Sequence, residues 1–395
     1  MRVLVLDGET RAALAVTRSL GRAGVELAVA APTQPCLAGR SRYCRRAVAC
    51  PDPSRHAAEF IDFLKTEPKA LGCELIISSS DVTTRLLSEA RRHLPTATQA
   101  ILPPEDALEA VLDKGALLSF AAKCGVPVPI TWDIGPDESN RLTFPVIVKS
   151  RRSRERAGDV WLEGQVRVAR NAREFAEVYA AVHRITPHPL VQEYIPGCGE
   201  GLFVLCNRGR VRAVFAHRRL RETPPDGGVS SLRESIPVDG GLFAGVTAMA
   251  DKLAWHGPAM FEFRRDSRDN TPKLLEVNPR FWGSLHLALA SGQDFPLLLY
   301  RMAVDGDIEL ALDYKIGVRS RWILGDFNRL LLALSAPRNG HGSRTREIVD
   351  FMRPGGNTRL EIESLADPGP ALFEYRAYTA ELAGAAVSSI ARRFR

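Results

Sequence analysis

No apolar run in the 395-residue sequence approaches the ~20 residues needed to span a bilayer, and the chain opens on a strand-like segment instead of a charged leader. A soluble, cytoplasmic protein without a transmembrane segment is therefore expected. The seven cysteines form no C-x-x-C pair and are odd in number, which excludes a simple disulfide framework and points to reduced, mostly buried thiols. Cys36, Cys44 and Cys50 lie close in sequence, but their irregular spacing is not that of a zinc site. No G-x-G-x-x-G follows the first apolar segment, so a nicotinamide site is not expected there. Lysine is scarce: of 53 Lys+Arg only eight are lysines, at 65, 69, 114, 123, 149, 252, 273 and 315. Where arginine is the habitual cation, a retained lysine marks a place for a compact ammonium in place of a planar fork.

What is present is ordinary for a globular protein, with 45% hydrophobic and 25% charged residues. The length predicts roughly two to four domains or subdomains. The net charge of +7 suits either nucleic acid or an acidic small substrate. The basic residues are dispersed and no aromatic-studded basic module occurs, which favours a small acidic molecule over nucleic acid.

The first hundred residues alternate strand and helix. VLVLDGET (3–10), VELAVA (25–30), ELIISSSD (74–81) and AILPP (100–104) read as strands, with a helix after the first and another capped by Ser80 or Asp81. This rhythm predicts a parallel sheet with helices on both faces. Residues 112–129, LDKGALLSFAAKCGVPVP, read as a helix capped by Asp113 and stopped by Cys124-Gly125 and two prolines. FPVIVKS (144–150) is a buried strand with Lys149 at its exit, and RRSRERAGD (151–159) reads as an exposed basic loop. PLVQEYIPG (189–197) is a strand, and residues 202–220 form a hairpin turning at Asn207-Arg208-Gly209. A helix over 241–256 precedes two further strands, 259–263 and 273–278. From about residue 310 the pattern is mixed and mainly helical; its end, AVSSIARRFR, suits either a basic amphipathic helix at a membrane surface or a frayed tail.

The stretch LLEVNPRFWGSL (274–285) carries the chemistry. Alternation puts Glu276, Asn278 and Arg280 on one face of an apolar strand, with Glu262 beside Glu276 on the preceding strand. Two carboxylates and an amide oxygen at the mouth of a sheet suit a hard divalent cation such as Mg²⁺. Lys149, at a strand exit, and Lys114, in the first turn of a helix, can reach phosphate oxygens. In residues 216–235, His217, Arg218, Arg219, Arg221 and Arg233 surround a Gly227-Gly228 turn. Arginine forks of this kind suit a carboxylate or phosphate substrate.

The ordered motifs D-K-x-x-L-x-x-F-A-x-x-x-G-V-P-V-P, F-P-V-I-V-K, V-Q-E-Y-I-P-G and E…E-V-N-P-R, behind a β-α-β domain, resemble the ATP-grasp superfamily. The similarity is to its carboxylate–amine ligase-like (carboligase-like) branch and spans residues 1 to about 310. It implies an α/β, Rossmann-like pre-ATP-grasp domain (1–104), followed by a two-subdomain α+β ATP-grasp fold (105–190 and 191–310). Residues 311–395 are left as a mixed, mainly helical extension. It also implies ATP and Mg²⁺ (or Mn²⁺), an acyl phosphate, and an amine that attacks it to form a C–N bond. By the same resemblance Lys114 and Lys149 are the phosphate lysines, and the strand Gln192, Glu193, Tyr194 and Ile195 reads the adenine edge. Glu200 takes the ribose hydroxyls, Glu262, Glu276 and Asn278 hold the metal, and Arg280 steadies the phosphoryl group. The partners implied are a small acidic substrate and an amine nucleophile, with a homodimer left open.

One departure stands out. Many relatives carry a glycine-rich loop after the second lysine, whereas residues 151–159 hold only Gly158. That absence keeps open a nucleotide-binding regulatory protein with impaired turnover. A carboxylase using bicarbonate is the third alternative, although the chain has no A-M-K-M-like biotin acceptor.

Overall fold

The computed structural model describes residues 1–224, 228–335, 344–353 and 355–393, with side chains described to residue 383. The expected strand–helix alternation gives a five-stranded parallel sheet in the order Arg46–Ala49, Leu27–Ala31, Val3–Val5, Leu75–Ile77, Gln99–Ala100. Val3–Val5 is paired on both sides and wholly buried, as a parallel strand covered on both faces must be. The strand order reverses between Val3–Val5 and Leu75–Ile77. The loops leaving these two strands therefore border a crevice, the place where open α/β sheets take ligands. Helices Arg11–Arg22 and Asp81–Ala90 start in those loops, capped by the Thr10 and Ser80 hydroxyls, which accept from the amides of Ala13 and Thr83.

A second, antiparallel sheet has the order Val166–Ala169, Val146–Lys149, Leu190–Glu193, Thr131–Trp132. The helix Ala172–His183 covers it through Phe175, Tyr179 and Val182, which pack on Val146, Val148 and Val191. Lys149 ends its strand opposite Val166 and Leu190.

A third sheet has seven strands, ordered Pro272–Asn278, Gly257–Asp266, Gly197–Asn207, Arg210–Thr223, Val229–Ser235, Arg319–Arg321, Thr358–Leu360. Both expected hairpins are present. Period-two alternation sorts the central strand: Leu202 and Val204 face the helices Lys114–Lys123 and Gly240–Lys252, while Phe203 and Leu205 face the first domain. On the latter side Phe203, Met260, Phe281 and Trp282 pack with Leu14 and Leu20 of the first helix and with Phe295. One continuous core thus joins the parallel sheet to the large one.

Residues 151–159 are not the exposed loop that their charge suggested. Arg154–Ala157 and Val160–Glu163 form a β-hairpin whose turn uses Gly158 at φ +65°. Trp161 supplies the reason: its indole is buried among Phe60 and Leu86 of the first domain, under the Arg85 guanidinium at 4.7 Å. The Trp161 amide donates to the Ser54 carbonyl at 2.9 Å. The arginines are paired, Arg151 with Asp113, Arg152 with Glu109 and Arg156 with Glu89.

The C-terminal extension is part of this sheet. Arg319–Arg321 and Thr358–Leu360 are its last two strands, and helices Ile323–Ser335, Arg344–Met352 and Gly369–Arg393 complete the region. The basic end at 386–395 lies outside the described side chains. Among the described residues no helix is long and apolar enough to cross a membrane.

Removing the Trp161 side chain deletes a contact of about 3 kcal/mol for a buried aromatic. Trp161→Ala is therefore expected to speed amide exchange over residues 154–163 about tenfold or more, with little change in the global unfolding midpoint. Unaltered exchange would show that backbone pairing alone holds the hairpin down.

Candidate active site

Two cavities, of about 740 and 430 Å³, lie on either side of one cluster of charges. Arg219, Gly228, Glu262 and Glu276 border both. The smaller, inner cavity lies between the four-stranded and seven-stranded sheets. Its walls are Ile147, Val166, Val168 and Leu275, its polar groups include Lys114 and Lys149, and Gln192–Ile195 forms an edge. The larger, outer cavity opens toward the crevice of the parallel sheet and is bordered by Asp7, Glu9, Ser79 and Asp81 as well as by Asn278 and Arg280.

The predicted hairpin brings Glu262 directly opposite Glu276. Lys114, first residue of a helix capped by Asp113, donates to Ser153 Oγ at 2.7 Å and stands 3.3 Å from Glu276 Oε2. Asn278 Nδ2 donates to Glu276 Oε1 at 3.1 Å, and Arg280 Nη2 to Asn278 Oδ1 at 3.2 Å. Arg280 in turn donates through Nε to Asp81 Oδ1 of the first domain at 2.8 Å. Lys149, buried, donates to the Leu275 carbonyl at 3.3 Å. Arg219 Nη2 lies 2.7 Å from Glu262 Oε1, and the same guanidinium contacts Glu222.

Burial sets the charges in this cluster. It pushes Glu262 above the usual carboxylate range against the pull of Arg219, and the Glu276 charge pushes the same way. Burial would raise Glu276 too, but Lys114, the Asn278 amide and Lys149 outweigh it and hold that carboxyl ionised. Lys149 is lowered to about 7, chiefly by burial and then by Lys114.

Among the described residues no group of three or more His, Cys, Asp or Glu could hold a metal by itself. Two facing carboxylates and an amide oxygen nevertheless fit Mg²⁺, which keeps waters and substrate phosphates in its shell in place of a full protein cage. Both carboxylates presently lean on cations of the chain itself, Arg219 and Lys114.

Other expected residues separate. Gln192, Glu193, Tyr194 and Ile195 all line the inner cavity. The Glu193 carboxylate also has a structural role: Lys273, Arg268 and the Ile130 amide donate to it at 2.7, 2.9 and 2.9 Å. Glu200 lines neither cavity and is held by Arg265 through a two-pronged contact at 2.7 and 2.8 Å. Arg218 is tied to Glu234 and Arg221 to Asp326, away from both cavities, while Arg219, Arg233 and Gly228 are at them. Gly227 lies outside the described residues.

Several groups at the outer cavity carried no sequence signal beyond their loop. Asp7 adopts φ +58°, the left-handed region that a non-glycine residue enters only when its surroundings hold it there. Its carboxylate accepts from the Ser79 amide at 2.7 Å and the Thr83 hydroxyl at 2.8 Å, tying the two crevice loops together. Beside it the exposed Glu9 borders the same cavity. Ser284 shares a 2.8 Å hydrogen bond with His217, which the sequence had singled out, and Trp322, Phe373 and Glu374 come from the C-terminal extension.

The family model for "ATP-grasp in the biosynthetic pathway with Ter operon" matches residues 186–324. No curated protein matches the chain. Among solved structures, L-amino acid ligase from Bacillus licheniformis is 17% identical with a TM-score of 0.60, over 78% of this chain and 75% of that one. The biotin carboxylase domain of Hydrogenobacter thermophilus 2-oxoglutarate carboxylase, solved with MgADP and bicarbonate, is 14% identical with a TM-score of 0.62, over 80% and 73%. N5-carboxyaminoimidazole ribonucleotide synthetase from Thermus thermophilus is 18% identical with a TM-score of 0.57, over 81% of each chain.

Of the eight lysines, one is expected to titrate near pH 7 when the ε-carbons are followed by NMR. Unfolded, the same ammonium holds its proton to ~10.4. Between these limits the unfolded chain binds the extra proton, so Lys149 lowers stability as pH falls from about 10 toward 7. Adding tripolyphosphate is expected to move that titration upward. Eight lysines all titrating above pH 9 would contradict the assignment.

Proposed function

We propose that this chain, whose fold is the ATP-grasp fold, is an ATP- and Mg²⁺-dependent ligase that activates a carboxylate as an acyl phosphate and joins it to an amine. ADP and phosphate are the other products. The supporting observation is the junction itself: one cavity with two lysines and an apolar wall, a second lined by arginines and acids, and Glu262 and Glu276 between them. A nucleotide fits the inner cavity with its base along Gln192–Ile195 and its phosphates toward Lys114 and Lys149. Glu262, Glu276 and Asn278 would hold Mg²⁺ (or Mn²⁺), which supplies neutralisation of phosphate charge. The acid enters from the outer cavity, where Arg280 and Arg219 can orient its carboxylate.

Phosphoryl transfer depends mainly on positioning and charge, and the chain supplies both. Arg280 is held on one side by Asn278 and on the other by Asp81, so its guanidinium is fixed before any ligand arrives. Phe281 and Trp282, each no more than 1% exposed, exclude water behind it. The missing glycine-rich loop does not by itself favour a protein that only binds nucleotide. Arg154 of the docked hairpin borders the outer cavity, and no residue of the hairpin lines the inner one.

Purified protein given ATP, Mg²⁺ and panels of carboxylic acids and amines is expected to release ADP and phosphate and to yield an amide detectable by mass spectrometry. Glu276→Gln is expected to cut that turnover about a hundredfold or more while leaving the fold intact. Unchanged turnover in this variant would remove the carboxylate pair from the chemistry. Nucleotide binding without ADP release on any panel would favour the regulatory alternative.

A further inference from the structure

The outer cavity carries a second concentration of positive charge that the ligase chemistry does not use. Arg11, from the first turn of the helix Arg11–Arg22, and Arg233, from the strand Val229–Ser235, both border it. Arg11 Nη1 donates to Glu361 Oε2 at 2.7 Å, and Arg233 Nη2 donates to the same oxygen. Two guanidinium groups therefore share one carboxylate oxygen. Arg233 is 0% exposed, gives Nη1 to the Ser230 carbonyl at 2.7 Å, and has no partner for Nε. The Arg11 guanidinium lies 4.0 Å over the Trp322 ring, which fixes its plane. Glu374, a cavity-lining carboxyl, accepts from Trp322 Nε1 at 2.9 Å and is raised to about 7, chiefly by burial, with Glu363 and Glu361 adding to the rise and Arg11 opposing it. It is an incomplete counter-charge at neutral pH. Glu363 is engaged by the Tyr375 hydroxyl at 2.7 Å and does not border the cavity.

The sheet sets the distance between this pair and the reacting end. Glu262 and Arg233 stand on strands separated by two others, three spacings or about 14 Å at backbone level. Arg219 stands on the strand between them, opposite Arg233 in the strand pairing, with Glu222 and Glu262 as its counter-charges. His217, buried and lowered well below 6.5 by burial and then by the two flanking arginines, packs its ring against Phe203.

We propose that Arg11 and Arg233 form a subsite for a second anionic group of the acid substrate, a carboxylate or a phosphate, joined by an uncharged segment to the carboxylate that is activated at Arg280. The inference rests on the ligase assignment for the identity of the reacting end, but it concerns binding and is tested without turnover. Arginine forks bind planar and tetrahedral oxyanions through paired hydrogen bonds. A cation pair with one shared counter-charge gains most from such a group.

The test uses the full chain and calorimetric titration with linear α,ω-dicarboxylates of three to eight carbons, the matching monocarboxylates, and ω-phosphono carboxylates of the same lengths. At least one doubly anionic probe is expected to bind about tenfold or more tightly than its monocarboxylate partner, equivalent to one charge-assisted contact. Whether the dicarboxylate or the phosphono series shows this preference decides which oxyanion the subsite takes. Arg11→Gln is expected to abolish the preference while leaving monocarboxylate affinity unchanged, and Arg11→Lys to restore part of it. Equal affinity for the two kinds of probe, or an Arg11→Gln loss that falls on both alike, would overturn the subsite. A dicarboxylate preference without any ADP release would leave the subsite standing and count against the ligase. ADP release indifferent to the second anion would do the reverse.

Discussion

Two carboxylates facing each other across a buried hairpin cannot both stay ionised without cations, and much of this molecule follows from that constraint. Glu262 and Glu276 draw theirs from separate stretches of chain: Arg219 from the neighbouring hairpin, Lys114 from a helix start, Lys149 from the four-stranded sheet. The Lys149 strand has a core of its own, whereas the Lys114 helix and the Arg219 strand share one with the strands of Glu262 and Glu276, so the charge cluster is a meeting point of two packed units. Removing Arg219 leaves Glu262 without its paired cation, which costs more than the pair contributes. The same logic leaves Lys149 short of a full proton at neutral pH, ready to take one when an anion approaches.

Much of the fold was legible because its signals are local. Period-two alternation gave both hairpins of the large sheet, and the faces of Glu262 and Glu276 with them. Asp113, and Ser80 or Asp81, announced two helix starts through cap chemistry that needs only three neighbouring residues, and Ser80 is the second cap. The scarcity of lysine drew attention to eight positions, and two of them, Lys114 and Lys149, line the inner cavity.

What was not legible depends on partners far away in sequence. Residues 151–159 read as a solvated loop since nothing within them shows that Trp161 joins the buried cluster of Phe60 and Leu86, or that Asp113, Glu109 and Glu89 await the arginines. Of the arginines in 216–235, composition could not say that Arg218 and Arg221 are spent on Glu234 and Asp326 while Arg219 and Arg233 border a cavity. The extension past residue 310 carried no motif, yet its strands complete the sheet and Trp322 and Glu374 close one end of the outer cavity. Side chains that act by closing a space have no sequence period.

The contact between Arg280 and Asp81 has a further meaning. It crosses from the large sheet to the first domain, and both residues border the outer cavity. Asp81 begins the helix Asp81–Ala90, whose N-cap loop Asp7 holds in place by accepting from Ser79. Arg280, the arginine proposed for the reacting end, is therefore oriented by the same loop that borders the outer cavity. Under the proposed function, altering that cavity to admit another acid would also re-aim Arg280, and substrate choice and transfer geometry would change together.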